Sequence, residues 1–569
     1  MKLINLIFAS ILLLTVNDSF AQSPTFTWAK AMGGPGADIG SAIALDASGN
    51  IYTTGFYDGG TDFDPGAGTY NLPFAGGFAD IYVSKLDASG NFVWAKAMSG
   101  TNTEEGISIA LDGAGNVYTT GYFQGTVDFD PGAGIFNLTS SGGGFDIFIS
   151  KLDTAGNFVW AKAMVGTNSE NGNSIALDAS GNVYTTGYFN ATVDFDPGAG
   201  IYNLTSAGGA DIFISKLDAG GNFVWAKRMG ETNDDKGMSI VLDASGNVFT
   251  TGTFRDTADF DPGVATFNLI SAGFENIYIS KLDAAGNFVW AKAMGGGRDI
   301  PYLALALDAS GNIFTTGFYF GTADFDPGSG TFNLSSAGLR DIFISKLNAA
   351  GDFVWAKSMG GISEDEGLSI AVDASGNVYT TGQFQATVDF DPGAATFNLT
   401  SEGADDIVIL KLDAAGNFVW AQTMGGTTDD ICSSITLDAL GNIFTTGYFG
   451  ANVDFDPGAG TFNLTSAGSF DIFVHKMADL SIGIVENNAA PVITIFPNPV
   501  SGIFTLSLST VPLLNTEIRL INTMGQVIYT GMLESKIKQF DFSYLPAATY
   551  YMLITHDRKQ IGKPVIITK

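Results

Sequence analysis

Cysteine, histidine and positive charge are all scarce in this chain. One cysteine, Cys432, stands among 569 residues, so no internal disulfide can form even in an oxidising compartment. Stability must come from packing. The two histidines, His475 and His556, cannot combine with one thiol into a metal site of nitrogen and sulfur ligands. Nor does any asymmetric Ser-His-Asp arrangement stand out. Cys432 falls where equivalent segments of the chain carry loop residues, and reads as an inert, buried or half-buried thiol. Long apolar runs are missing as well, except at the start. Residues 1–21 hold Lys2, an apolar stretch over 6–16 and small residues before position 22, the pattern of a secretory signal rather than a membrane span. No other stretch reaches the roughly 18 apolar residues of a spanning helix. No helix-period segment is present.

Basic residues number 26 against 58 acidic ones, for a net charge of −32. The shortage is uneven. Residues 491–569 hold seven Lys/Arg and four Asp/Glu, and Lys2 and Asp18 cancel within the first 21 residues. Setting that +3 against −32 leaves −35 on residues 22–490. Such a surface repels nucleic acid and anionic lipid. It suits solubility, divalent cations or cationic partners.

What the chain has in abundance is repetition. Its seven tryptophans, Trp28, Trp94, Trp160, Trp225, Trp290, Trp355 and Trp420, stand 66, 66, 65, 65, 65 and 65 residues apart, each in a near copy of Asn-Phe-Val-Trp-Ala-Lys. A fixed period of this length marks a repeat architecture. In one unit, residues 108–112, 117–123, 146–152 and 158–164 are rich in β-branched and aromatic residues and are separated by Gly-Asn turns, the signature of antiparallel strands. We name them a, b, c and d. Each occurs seven times, but the first d strand, at 26–32, precedes any strand a. The last a-b-c set, 435–477, therefore lacks a d strand of its own. The expected solution is a seven-bladed β-propeller over 22–478 in which the N-terminal strand completes the final blade. Closure removes open sheet edges, whereas an open solenoid would need polar capping repeats. The tryptophans read as core between blades, with ring stacking on sugars as the alternative.

The strings "SIALDASGNVYTTGYF" and "DIFISKLDAAGNFVWAKAMGG" resemble the SBBP-type β-propeller repeats of exported bacterial proteins over about 26–478. After a linker at 479–490, the segment 491–569 carries "FPNP", "NTMGQV" and "YLPAATYYMLI". It is similar to the C-terminal sorting domain of the type IX secretion system of Bacteroidota, a small β-sandwich. Ala547-Ala548 depart from the glycine usual there and suggest a slightly different turn. The resemblance implies the type IX machinery as partner through 491–569. It also implies passage across the outer membrane and a final place in the medium or on the outer cell surface. An independent immunoglobulin-like binding module is the alternative for this segment.

The a–b and c–d turns are short and uniform, whereas the b–c insertions and the variable d–a loops share the other face of such a ring. Acidic d–a loops at 103–105, 233–235, 363–366 and 428–430 make that face the expected seat of function. The most irregular d–a loop is 297–302, with Arg298, Asp299 and Tyr302. The sharpest chemical candidates are the Asp-x-Asp pairs of the insertions. These are Asp62 with Asp64, Asp128 with Asp130, Asp194 with Asp196, Asp259 with Asp261, Asp324 with Asp326, Asp389 with Asp391, and Asp454 with Asp456. Two carboxylates at i and i+2 project to one side of an extended segment and could serve calcium, which needs six to eight oxygens. The preferred reading is structural. The aspartates cap the following Pro-Gly turn or pair with the strand-c lysines Lys85, Lys151, Lys216, Lys281, Lys346, Lys411 and Lys476. Function is expected to be that of a non-catalytic binding or structural scaffold, with no certain cofactor, whose acidic face takes a glycan, a protein or a cation. A secreted carbohydrate-active enzyme working through paired carboxylates is the alternative.

Overall fold

A computed structural model describes residues 23–296, 302–479 and 493–568, apart from 509–516, 523–525, 534, 536 and 557–558. The expected signal peptide, the loop 297–301 and the linker beyond Asp479 lie outside the described residues. The chain divides into two compact units, Met1–Leu480 and Ser481–Lys569. Every regular element among the described residues is a β-strand.

The first unit is a seven-bladed β-propeller. A typical blade runs from strand a, Glu104–Leu111, through b, Val117–Phe123, and c, Asp146–Leu152, to d, Phe158–Gly166. All neighbours in it are antiparallel. The final blade orders Ile431–Leu437, Ile443–Phe449 and Asp471–Ala478 from the inside, and Thr25–Met32 is its outermost strand. Ala29 lies opposite His475 and Met32 opposite Ile472. The N-terminal strand therefore closes the ring. The innermost strands touch in succession, and Ile39–Leu45 meets both Glu104–Leu111 and Ile431–Leu437, so no strand a faces a gap.

Strand faces are apolar on both sides because each blade packs between two others. One core cluster joins Tyr52, Ile81, Trp94 and Met98 of one blade to Ile109, Val117, Phe148 and Leu152 of the next. Burying each such side chain contributes about 1.5–3 kcal/mol relative to exposure. The tryptophans belong to this seam. Trp94 stands edge-on to Tyr52, with ring centroids 6.1 Å apart. Its Nε1 donates to the Thr154 carbonyl in the next blade's c–d turn at 3.3 Å. Gly156 in that turn has φ +78°, and a side chain there would press on the Trp94 ring. This one contact explains why the turn glycine and the tryptophan repeat together.

Three details depart from expectation. Cys432 sits inside strand Ile431–Leu437, fully buried opposite Gly447, not in a loop, and burial raises its thiol to about 12. Strand-c lysines do not pair with the Asp-x-Asp carboxylates. Lys151 Nζ lies 4.7 Å from the Tyr118 ring centre and 3.9 Å from Asp112 of the a–b turn, at the opposite end of the blade. Asp479, expected to open the linker, is buried and paired with Lys411 at 2.5 Å.

The second unit packs a three-stranded sheet, Ile493–Phe496, Ile503–Leu508 and Ile537–Asp541, against a four-stranded one. The latter contains Glu517–Asn522, Val527–Met532, Ala548–His556 and Lys559–Ile567. Phe504, Leu520, Phe540 and Met552 fill the sandwich between them.

Candidate functional site: the insertions and the channel mouth

Each b–c insertion forms a small hairpin, as in Thr126–Asp128 with Asn137–Thr139. The first aspartate of each pair is the anchor. Asp128 Oδ1 accepts the backbone N–H of Asp130 at 3.0 Å and of Phe136 at 2.8 Å. The same two bonds recur at Asp62, Asp194, Asp259, Asp324, Asp389 and Asp454. The second aspartate caps the Pro-Gly turn. Oδ1 of Asp64, Asp130, Asp196, Asp261, Asp326, Asp391 and Asp456 accepts the N–H of the glycine two residues on, at 2.7–2.9 Å. These are the contacts a turn-capping role requires.

Asp64, Asp196, Asp261, Asp326, Asp391 and Asp456, like Asp130, each turn one oxygen, Oδ1, to a backbone donor. Their partners Asp62, Asp128, Asp194, Asp259, Asp324, Asp389 and Asp454 each take two such donors. Among the described residues no group of three or more His, Cys, Asp or Glu side chains could hold a metal. The backbone of the first aspartate also bridges to the preceding blade: Asp128 to Ser99, Asp194 to Val165, Asp324 to Gly295 and Asp62 to Gly33. The insertions are thus staples between neighbouring blades, a role that a motif read within one repeat does not reveal.

The acidic d–a loops divide their carboxyls between surface and seam: Asp234 and Glu364 remain partly exposed. Glu104, Asp235, Asp365 and Asp430, one from each, are buried, because each turns inward to the blade junction. Glu105 and Glu366 of these loops line the mouth of the central channel, a cavity of about 940 Å³. Strand a begins on the insertion face and strand b ends there, so their first and last residues rim the channel.

The rim is where the seven repeats cease to be copies. The equivalent positions at the start of strand a are Ile39, Glu105, Asn171, Lys236, Tyr302, Glu366 and Ile431. Opposite six of them on strand b stand Phe56, Tyr122, Tyr188, Thr253, Gln383 and Tyr448. Further down, the Thr-Thr-Gly of strand b is identical in all seven repeats. The fifth blade differs most. Its a–b pair lacks the bulge present in the others, so Leu303 faces Gly317 directly, and Tyr302 is 57% exposed.

Polar groups at the rim are held in place. The Tyr122 hydroxyl donates to Glu105 at 2.7 Å, and burial raises the Glu105 carboxyl above its usual range. Arg255 stacks on Phe274 at 4.3 Å and pairs with Glu275 at 3.5 Å. Arg340 lies over Phe318 at 4.8 Å and pairs with Glu366 and with Glu364. Lys236 sits 5.0 Å over the Tyr188 ring. The lining carries Glu105, Glu275 and Glu366 against Lys236, Arg255 and Arg340, an electroneutral patch on a strongly acidic unit. Glu105, Glu366 and Tyr302 were legible in the sequence through their d–a loops, whereas Lys236, Arg255, Glu275 and Arg340 were passed over. Comparing the repeats for their differences would have found them.

The chain is 24% identical to an uncharacterised WD repeat-containing protein of Acanthamoeba polyphaga mimivirus, over 74% of this chain and 36% of that one. It is 24% identical to the regulatory protein FlaEY of Caulobacter vibrioides, over 29% of this chain and 17% of that one. It thus spans little more than a third of the first relative's length and less than a fifth of the second's. Among solved structures it is similar to Sqt1 of Chaetomium thermophilum, at 11% identity over 80% of this chain and 99% of that one, TM-score 0.37. It is also similar to PorZ, a surface component of the type IX secretion system of Porphyromonas gingivalis, at 11% identity over 96% and 100%, TM-score 0.14. Residues 494–568 match the secretion system C-terminal sorting domain. The chain carries that domain and is cargo of the type IX secretion system, destined for the medium or the cell surface.

Proposed function

We propose that the propeller is a non-catalytic recognition module that holds a neutral oligosaccharide in its channel mouth, outside the cell. The observation that carries this reading is the convergence on one rim of the positions at which near-identical repeats diverge. Drift alone would scatter differences over the exposed turns, yet the Asp-Asn hairpins stay uniform. The chemistry of the rim narrows the ligand. Tyr122, Tyr188, Tyr302 and Tyr448 supply stacking faces. Fixed guanidinium–carboxylate pairs, Asn171 and Gln383 supply donors and acceptors together, as hydroxyl groups demand. Balanced charge favours a neutral ligand over an ionic one. We further read the repeats as SBBP-type, a scaffold on which such a rim can vary without cost to the core.

A second reading rests on Glu105 and Glu366, whose charges both bear on Tyr302. A pair of channel carboxylates, each with its pKa raised by burial, is also what carboxylate-based sugar hydrolysis employs. Titration of the protein with cello-, malto- and xylohexaose tests both. Binding of one of them, weakened at least tenfold by Tyr302→Ala or Tyr188→Ala and untouched by Tyr70→Ala on an insertion, supports the recognition module; tenfold corresponds to about 1.4 kcal/mol. Chain cleavage that disappears in Glu105→Gln or Glu366→Gln would replace it with the hydrolase. Absence of binding to all three sugars overturns the oligosaccharide assignment.

A further inference from the structure

The strand-c acid of one blade and the acid at the head of strand a in the next face each other in the seam between them. Asp80 meets Glu104 and Asp146 meets Glu170. The same arrangement places Asp211 with Asp235, Asp341 with Asp365, Asp406 with Asp430 and Asp471 with Asp38. The glycine ending strand d makes room: a Cβ on Gly100 would stand 3.0 Å from Glu104 Oε1, and one on Gly166 2.8 Å from Glu170 Oε1.

The first two pairs are the plainest. Asp80, Glu104, Asp146 and Glu170 are at most 1% exposed. The aspartates are anchored by the chain. Asp80 accepts N–H from Ala75 at 3.0 Å and from Gly100 at 3.2 Å; Asp146 accepts from Ser141 at 2.6 Å and from Gly166 at 2.7 Å. Each glutamate reaches its aspartate at hydrogen-bond range. With both groups ionised neither carboxyl has a hydrogen to give the other; backbone N–H groups of Gly100 and Asn102 bear on Glu104 and those of Asn168 and Asn190 on Glu170, but none meets full hydrogen-bond geometry with a glutamate oxygen. No ion pair to Lys or Arg reaches any of the four among the described residues. The Tyr57 hydroxyl is the other titratable group that feels Asp80. Two buried, unpaired carboxylates in contact are among the costliest arrangements a fold can hold.

We propose that each of these two junctions holds one proton shared between its carboxyls, a glutamic O–H donating to the anchored aspartate, so that the blade seams are proton-binding sites that loosen as they lose that proton. This is independent of what the channel binds. A proton fits better than a metal, because N–H donors crowd both aspartates and the junctions offer only two carboxylates each. Burial first, then the neighbouring carboxylate, raises both glutamates. The remaining junctions vary the theme: Arg228 pairs with Asp211 at 2.5 Å. Elsewhere Asn276 replaces the strand-c aspartate and still accepts the Ala272 N–H at 3.2 Å, so the fold accommodates a neutral side chain at that position.

The raised carboxyls set the sign. Their stabilising effect is complete below the ordinary carboxylate range and is lost as pH rises through the folded-state value. Calorimetry of the full chain near pH 7, in buffers of different ionisation enthalpy, counts protons released on unfolding. The Glu104→Gln/Glu170→Gln variant should release about two fewer than the natural chain, one per junction, and its thermal midpoint should fall less between pH 5 and pH 9. If that double variant does not fold, Glu104→Gln and Glu170→Gln taken singly should each release about one proton fewer than the natural chain. The natural chain at pH 7 should also show the infrared C=O stretch of buried, protonated carboxyls. Unchanged proton release in a folded variant, absence of that stretch, or uptake of calcium that the Gln variant abolishes would each overturn the proposal.

Discussion

At the scale of single residues, repetition makes the exceptions informative. Thr185 Oγ1 and Ser215 Oγ bond at 2.7 Å across strands b and c. In the last blade His475 takes the serine's place opposite Thr445. It is fully buried and stacked on Phe26 at 5.7 Å, with the Phe455 backbone as the polar group that bears on its ring. Burial lowers the imidazole to about 3. The unfolded chain takes up that proton near the ordinary value, so His475 costs stability progressively as pH falls from about 6.5 towards 3. His475→Ser should therefore gain more over the natural chain at pH 4 than at pH 8, read as the difference in thermal midpoints. An equal difference at both would mean the ring is not neutral in the folded state. The turn aspartates show the opposite, local effect. The Asn91 side-chain amide and backbone N–H groups hold Asp87 below the usual carboxylate range.

At the scale of elements, the b–c hairpin exchanges hydrogen bonds within itself and with its neighbour blade. Asp128→Ala removes two acceptor contacts at 3.0 and 2.8 Å while leaving the backbone bridge to Ser99 in place. Each lost bond costs about 0.5–1.5 kcal/mol, so urea unfolding should show a loss of about 1–3 kcal/mol. The loss should be the same with calcium and with chelator. Should calcium instead raise the midpoint of the natural chain and not of the variant, the aspartates are metal ligands.

At the scale of the molecule, closure substitutes for the disulfides the chain lacks. Removing residues 23–37 would strip Thr25–Met32 from the final blade and expose the edge of Asp471–Ala478 together with Phe473 and Met477. The shortened chain should unfold at a markedly lower temperature and aggregate, because an open apolar edge pairs with other chains. A separately added peptide of residues 23–37 should restore part of the midpoint. Full stability without the strand would mean that the ring does not depend on it.

The period of the tryptophans, the Gly-Asn turns and the surplus d strand at the N-terminus already specify the propeller and its closure, because local turn chemistry and strand alternation are written in neighbouring residues. The sorting segment was legible through its resemblance to a known domain family, carried by motifs such as "FPNP" and "YLPAATYYMLI". The Asp-x-Asp pairs were equally visible in the repeats, but it took the assembled ring to show that they staple one blade to the next and that the strand-c lysines lie at the other end. Acidic loops read as a charged surface turned out to send one carboxyl each into a seam, since exposure depends on what packs opposite and not on residue type. The channel rim gathers residues about 65 positions apart. Tyr302, Glu105 and Glu366 stood out in their own loops, whereas Lys236, Arg255 and Arg340 did not, and all become one site only when the ring brings seven strand ends together.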